Sequence, residues 1–141
     1  MSEHEWGPET ESPPVGPNDI RRWAIAVYWP ERPPERYSDP GRMVAPPDFN
    51  PFAWLVDPLP QAPGAAREDF PDHRRVMNGG QADRYGEPIR PGDIIISRSR
   101  ITKIEARQTR LGETRFVSTE QRWTNQRGEF VRSRISTLIR Y

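Results

Sequence analysis

Apolar and polar residues alternate along the second half of the chain, and this alternation predicts an antiparallel sheet. A period of two is typical of a strand. It is clearest over 129–141, where two rows separate, Val131, Ser133, Ile135, Thr137, Ile139 and Tyr141 against Arg132, Arg134, Ser136, Leu138 and Arg140. Two more strands are predicted over 94–106 and 114–124. Turn-forming residues precede the three runs: Pro91-Gly92-Asp93, Leu111-Gly112-Glu113 and Asn125-Gln126-Arg127-Gly128.

The first half of the chain carries helical spacing instead. A helix is predicted over 18–28, with Arg21 and Arg22 facing solvent and Pro30 ending it. Its apolar series has the i, i+3, i+4, i+7, i+8 pattern: Ile20, Trp23, Ala24, Val27 and Tyr28. The strongly apolar segment Phe49 to Val56 predicts a second, short helix that is buried on all sides.

The three predicted strands are 11 to 13 residues long, whereas strands typically have about 5 or 6. Each would extend ~36–43 Å, so the sheet must curl and something must cover its concave face. The apolar helix over 49–56 is the obvious candidate. The pattern therefore predicts an α+β domain over 17–141, a long curled antiparallel sheet wrapped around a central helix. Residues 1–16 are expected to be a disordered or loosely docked tail, and 57–75 a Pro-rich surface loop.

Composition changes this picture in one respect. Only 33% of the residues are hydrophobic, and fifteen of the seventeen prolines precede residue 72. So small and proline-broken a core suggests that some apolar surface is buried against another chain. Cysteine is absent and the two histidines are far apart, which excludes disulfides and thiol nucleophiles and disfavours a transition-metal site.

Four stretches of the sequence, in order, resemble one known family. They are VGPNDIRRWAIAVYWPERPPERYSD, GRMVAPPDFNPFAW, NGGQADRYGEPIRPGDIIISRSRI and WTNQRGEFVRSRISTLIRY. The sequence resembles, over residues 15–141, the N-terminal-type (FAS1-like) dehydratase domain of the MaoC-like acyl dehydratases. The resemblance implies a hot dog fold that works in pairs. It also implies an acyl-CoA or acyl carrier protein thioester as substrate, reversible addition or loss of water across its α,β double bond, and no cofactor.

The resemblance breaks down where catalysis would be expected. Active members of the family supply an Asp and a His from a motif close to Asp-x-Asn-Pro-(Ile/Val)-His-x-Asp. Here Asp39 matches the final Asp, but Tyr37 stands at the His position and the catalytic Asp falls near Glu31 or Arg32. Tyrosine, with an ordinary pKa near ~10, does not exchange protons at neutral pH as histidine does.

This region, Glu31, Glu35, Tyr37 and Asp39, is therefore interpreted as a degenerate site, and no catalytic residue is expected in this chain. Glu31 or Glu35 could still carry a proton, although solvated charges in a Pro-rich loop are the simpler interpretation. His73 is interpreted as a solvated loop histidine in preference to a catalytic residue. Pro46 and Pro47 would leave the second helix without N–H groups for an oxyanion, and Asp48 would repel one.

The substrate-binding candidates are expected near the second helix and the first strand. They are Pro47, Phe49, Phe52, Trp54, Asn78, Gly79 and Gly80. The three aromatic residues either line an acyl tunnel or belong to the ordinary core. Asn78-Gly79-Gly80 either borders that tunnel or forms a plain turn opening the first strand.

The arginines of the predicted strands could bind the phosphates of a CoA or carrier-protein arm. Ordinary solvent exposure explains most of them, and none is singled out: Arg98, Arg100, Arg107, Arg110, Arg115, Arg122, Arg132 and Arg134.

The leading functional hypothesis is a non-catalytic or half-site subunit of a heteromeric enoyl-thioester hydratase or 3-hydroxyacyl-thioester dehydratase, which is expected to be inactive alone. A partner hot dog chain would supply the Asp and His. The alternative is a homodimeric module that binds an acyl thioester without turnover. A nucleic-acid-binding sheet is disfavoured by the net charge of +1. No apolar run is long enough to span a membrane and no signal peptide is evident, so a cytoplasmic protein is expected.

Overall fold

The computed structural model describes residues 5–39 and 41–141, so the first four residues of the expected tail lie outside the described residues. Its centre is an antiparallel sheet of five strands in the order β1-β3-β4-β5-β2. The strands are β1 (Thr10–Glu11), β2 (Val76–Tyr85), β3 (Ile96–Thr109), β4 (Gly112–Thr124) and β5 (Phe130–Arg140). The three long strands predicted from the alternation are confirmed.

The hairpin between β3 and β4 is tighter than the sequence suggested. β3 continues to Thr109 and β4 already begins at Gly112, which pairs with Thr109. Gly112 has φ of +95°, a conformation that glycine adopts without a steric penalty. The predicted three-residue turn therefore becomes part of the strand ladder.

The first helix, α1, spans Pro17–Tyr28, with Pro17 at its first position. Ile20 and Ala24 are fully buried, but Val27, predicted on the same face, is 49% exposed. Arg22 is exposed as predicted, whereas the half-buried Arg21 donates a hydrogen bond to Asn18 Oδ1. Only the first two turns of α1 therefore face the core.

The second predicted helix, over 49–56, is wrong: these residues form consecutive turns. Pro51 disfavours helical backbone at Asn50, and the Asn50 side chain accepts a hydrogen bond from the Phe52 N–H instead. The segment is not covered on all sides either, since Trp54 is 73% and Val56 99% exposed. No helix begins at Pro46, so this segment has no helical N-terminus at which N–H groups could be missing.

One face of the sheet is covered by α1 and by the turns that follow it. The main core cluster joins the first half of the chain to the strands: Val15, Ile20, Met43, Ala45, Phe49, Phe52, Ile89, Ile95, Trp123 and Val131. A second cluster lies where residues 62–70 cross the same face and contains Ala62, Phe70, Ile101 and Val117. We call this the covered face. It is the face of Trp123 and Val117, and the strand register assigns Arg132 and Arg134 to it as well.

Residues 5–16 run along the free edge of β3. Gly7 N–H donates to the Ser99 carbonyl at 2.8 Å, and Ser12 N–H donates to the Ile95 carbonyl at 2.8 Å. The ring of Trp6 packs against three arginines of the opposite face of the sheet. Composition alone gives no sign of this docking, because β1 is only two residues long.

Two of the family-like motifs hold each other in place. Asp93 of the Arg-Pro-Gly-Asp turn accepts hydrogen bonds from Arg90 N–H and from Gln126 Nε2, both at 2.9 Å. The fully buried Asn125 accepts from the N–H groups of Arg127 and Glu129. The residues that carry much of the resemblance are therefore structural: they join the start of β3 to the β4–β5 turn.

Within the described residues, α1 is the one α-helix, and it is too short and too polar to cross a membrane.

Candidate functional site

The degenerate motif region lies beside α1, where Glu35–Tyr37 form a single 3-10 turn. Tyr37 is 3% exposed, and its hydroxyl accepts a hydrogen bond of 2.9 Å from Arg36 Nη2. The Arg36 guanidinium also lies 4.7 Å from the centre of the Tyr37 ring. The ring of Tyr28 packs on Tyr37 with 5.9 Å between the centroids. Tyr37, which the sequence resemblance predicts at the histidine position, is therefore a buried tyrosine engaged with an arginine.

The titratable neighbours of Tyr37 do not form an acid–base pair. The neighbouring Tyr37 hydroxyl, together with desolvation, raises the pKa of Tyr28 above its ordinary value of 10.0, away from neutrality. Glu31 and Glu35 are exposed. Asp39 Oδ1 accepts a hydrogen bond of 3.0 Å from Gly41 N–H, which is a turn contact. In the described part of this region, no carboxylate lies against an imidazole.

His73 lies elsewhere, in the turn between Phe70 and β2, where its N–H donates to the Phe70 carbonyl. Phe70 belongs to the second core cluster, whereas Tyr37 contacts α1. The structure thus gives His73 no link to the motif region.

The predicted substrate-binding residues separate into three groups. Phe49 and Phe52 are buried in the main core, where Phe52 packs on Trp123 with 5.4 Å between ring centroids. Pro47 lines a cavity next to them. Trp54 is 73% exposed and lines neither the core nor this cavity, so its place in an acyl tunnel stays a prediction.

Asn78, Gly79 and Gly80 are exposed residues inside β2, where the pairing with β5 shifts register. They form a bulge and not the turn that opens the strand. The other end of β2, at Tyr85 and Gly86, lines the cavity that also contains Pro47. Asn78, Gly79 and Gly80 do not line this cavity, and their role in substrate binding stays a prediction.

That cavity, of about 130 Å³, lies on the covered face. Its wall is mostly apolar and is formed by Ala45, Pro46, Pro47, Tyr85, Gly86, Glu87, Pro88, Ile89, Trp123, Val131 and Arg132. We call it the Arg132 cavity. A second cavity of about 280 Å³ lies under residues 59–65 and includes the next alternate residue of β5, Arg134.

Arg132 was not distinguished from the other arginines by sequence reasoning. It stands opposite Trp123 on β4 and opposite Tyr85 on β2. The Arg132 guanidinium stacks on the Trp123 ring at 3.8 Å from its centre, and the residue is 6% exposed. The available signal was the row Arg132, Arg134, Ser136, Leu138 and Arg140, which alternation identifies as one face without showing that it is the covered one.

Arg134 has a carboxylate partner for its positive charge, whereas Arg132 has none among the described residues. Arg134 Nε donates to Asp83 Oδ1 at 2.8 Å, and this hydrogen bond holds the pKa of Asp83 below its ordinary value. For Arg132, burial lowers the pKa of the guanidinium, and the nearby positive charge of Arg134 lowers it further. Among the described residues, no carboxylate lies within 4 Å of the Arg132 guanidinium.

The fold class follows from the five-stranded antiparallel sheet and from similarity to solved structures. The ChsH1-ChsH2 complex from Mycobacterium tuberculosis aligns with a TM-score of 0.77 at 18% identity, covering 96% of this chain and 84% of that chain. The MaoC-like dehydratase from Rhodospirillum rubrum aligns with a TM-score of 0.64 at 18% identity, covering 100% and 93%. The C-terminally truncated HadBC (3R-hydroxyacyl-ACP dehydratase) complex from M. tuberculosis gives 0.59 at 20% identity, covering 99% and 98%. The fold is a hot dog fold.

Sequence comparison then defines the family. The model of the family described as "FAS1-like, dehydratase domain region" matches residues 4–134. A protein of Thermobifida fusca named UPF0336 protein is 30% identical over 125 residues, which is 85% of this chain and 78% of the relative. The chain belongs to the FAS1-like dehydratase domain family.

Proposed function

We propose that this chain is a half-site subunit of a heteromeric enoyl-thioester hydratase or 3-hydroxyacyl-thioester dehydratase. A second hot dog chain would supply the catalytic Asp and His, and this chain would help to shape the pocket for the acyl group. The observation that carries the proposal is the motif region. The chain is a member of a dehydratase family, and by the sequence resemblance its buried Tyr37, hydrogen-bonded by Arg36, would stand where active members have histidine.

An exposed edge of the sheet supports the proposal that a second chain binds here. β2 pairs with β5 on one side only, and every residue of β2 except Asp83 is exposed. An unpaired edge strand readily pairs with another chain. The exposed aromatic side chains Trp29, Trp54 and Tyr85 also leave apolar surface for a partner to bury. Two of the similar solved structures, ChsH1-ChsH2 and HadBC, are themselves complexes.

The test is reconstitution. The chain is purified alone and together with a hot dog chain that carries the Asp-x-Asn-Pro-x-His motif, and hydration of crotonyl-CoA and of longer enoyl-CoA thioesters is measured. We expect turnover by the pair and none by this chain alone. Full activity of the chain alone would refute the proposal.

Two further variants examine the motif region in the active pair. Replacing the histidine of the partner motif should abolish turnover, while Glu31→Gln and Glu35→Gln in this chain should leave kcat within a few-fold of the parent pair. A large loss of kcat in either glutamine variant would place a proton-transfer role in this chain.

The second candidate function is a homodimeric module that binds an acyl thioester without turnover. The same exposed edge of β2 favours it, because two copies of this chain could pair there. A stable homodimer that binds acyl-CoA, and that forms no active complex with any motif-carrying hot dog chain, would favour this alternative.

A further inference from the structure

Arg132 is a buried cation for which the described residues provide no acceptor. Its Nε is fully shielded from solvent and has no hydrogen-bond partner. Its two Nη nitrogens, which are not fully shielded, form no hydrogen bond with the described residues either. Trp123 Nε1, in the ring on which Arg132 stacks, is also buried and without an acceptor. An unpaired buried charge is strongly unfavourable, so such groups normally have a partner or bind one.

The surroundings of Arg132 are built to hold it in one place. Trp123 fixes one side of the guanidinium, and Tyr85 lies across from it on β2. The buried Trp123 is itself packed against Phe52. A guanidinium in a fixed plane presents parallel N–H donors, which match the two oxygens of a carboxylate.

The Arg132 cavity limits which ligands can reach the guanidinium. Its volume of about 130 Å³ is close to the roughly 150 Å³ of an apolar protein cavity that binds benzene. Its other charged residue is Glu87, which is exposed and forms no ion pair with Arg132. The cavity therefore combines an apolar wall, suited to a few methylene groups, with one positive charge inside.

We propose that the Arg132 cavity binds a carboxylate attached to a short apolar chain. Arg132 is the carboxylate-binding residue, and the Trp123 ring orients its guanidinium. The origin of this carboxylate rests on the proposed function. There it is the end of an acyl group farthest from the thioester, so that the substrates are carboxyacyl thioesters. The same cavity would accept a short free carboxylic acid by the same contact. A carboxylate is favoured over a neutral carbonyl oxygen because only an anion neutralises the buried charge.

The experiment measures equilibrium binding to the purified chain, alone and in complex with its hot dog partner, by titration calorimetry. The probes are succinyl-CoA, butyryl-CoA and free succinate. Succinyl-CoA should bind about 10–100-fold more tightly than butyryl-CoA, the range expected when a charged hydrogen-bonded pair is gained. Arg132→Met should remove that preference, while Arg115→Gln, which removes an exposed arginine of the same sheet, should retain it.

The free acid distinguishes the two sources. If succinyl-CoA binds much more tightly than succinate, the ligand is a thioester; if succinate binds as tightly, the cavity takes the free acid. Both results support the carboxylate contact, provided that Arg132→Met abolishes it. Equal affinity for succinyl-CoA and butyryl-CoA in the parent protein would overturn the proposal. So would an Arg132→Met variant that loses its association with the partner chain but keeps its ligand preference, since Arg132 would then pair with a carboxylate of that chain.

Failure of this inference and failure of the proposed function are distinguishable, because binding requires no turnover. A preference for succinyl-CoA that depends on Arg132 in a pair without hydratase activity would support the cavity and refute the half-site enzyme. An active pair that does not distinguish the two thioesters would do the reverse.

Discussion

Each face of the sheet buries a charged group, but only one of the two groups has hydrogen-bond partners among the described residues. Glu120 on β4 lies on the face opposite to Arg132, and its side chain is 6% exposed. Its carboxylate accepts hydrogen bonds from Arg100, Arg122 and Ser133 at 2.8 to 3.2 Å. Arg132, buried to the same degree on the covered face, has no such partner among the described residues.

The difference distinguishes a structural ionic cluster from a site that awaits a ligand. Burial alone would raise the pKa of Glu120, but the hydrogen bonds from Arg100, Ser133 and Arg122 outweigh it and hold this pKa below its ordinary value. Burial lowers the pKa of Arg132, and no ion pair reverses the effect. We therefore expect substitutions at Glu120 to destabilise the fold and substitutions at Arg132 to change ligand binding instead.

The largest effect should follow Glu120→Ala. This change leaves Arg100, Arg122 and Ser133 without their shared acceptor, and the free energy of unfolding should fall by about 3 kcal/mol, as when one member of a buried ion pair is removed. Urea denaturation measures it. Glu113→Ala is the matched control, because its pair with Arg115 is exposed and should contribute at most about 0.5 kcal/mol. Equal losses of unfolding free energy in the two variants would contradict a larger contribution from the buried Glu120 than from the exposed Glu113.

The pH dependence of stability gives the second test. Because the pKa of Glu120 is lower in the folded protein than its ordinary 4.5, its contribution is fully present above that value. The contribution is lost as the pH falls through the lower, folded pKa. The difference in unfolding free energy between the parent and Glu120→Gln should therefore shrink on acidification below about 4.5. A difference that stays constant down to full acid unfolding would contradict the lowered pKa.

How much of this could be known from sequence differs between the strands and the site. β3, β4 and β5 were predictable because they are long, alternate regularly and are separated by turns with glycine. The helix predicted over 49–56 failed because an apolar run does not distinguish a helix from turns that bury only Phe49 and Phe52. The docking of residues 5–16 has no local signal, since it depends on the edge of β3, which is distant in the sequence.

That Tyr37 stands at the histidine position of the family motif could be inferred from the sequence because the motif is contiguous, and the lack of a catalytic pair there stays a prediction. The place of Arg132 could not be predicted in this way, because period-two alternation separates two rows of side chains without showing which row lies on the covered face. In β5 the row with more Val and Ile includes Ile135, which is 42% exposed, while the row with arginines lies on the covered face. Assigning the two rows by hydrophobicity alone would reverse them.

A smaller loss is expected from Trp6→Ala. The Trp6 ring lies 4.5 to 5.3 Å from the guanidinium groups of Arg98, Arg100 and Arg122, and it covers the Glu120 cluster from outside. Cation–π contacts at partly exposed sites contribute about 0.5–1 kcal/mol each, and they share one ring here, so a total of about 1–2 kcal/mol is expected. Trp54→Ala, which removes a 73% exposed ring, is the control and should change thermal stability little. If both variants lost the same stability, the docking of the N-terminal segment would contribute nothing.

The smallest change in stability should come from Arg132→Met, and its sign is the sharpest test of the comparison. Methionine keeps the unbranched side chain and can pack its sulfur against the Trp123 ring, while the unpaired buried charge is removed. Replacing a buried charge by an apolar group of similar volume is often neutral or stabilising, so the free energy of unfolding should stay the same or rise by about 1 kcal/mol. A loss as large as that of Glu120→Ala would mean that Arg132 has a structural partner. A neutral or positive result, together with loss of the succinyl-CoA preference, would identify Arg132 as a residue that is retained for its ligand at the expense of the fold.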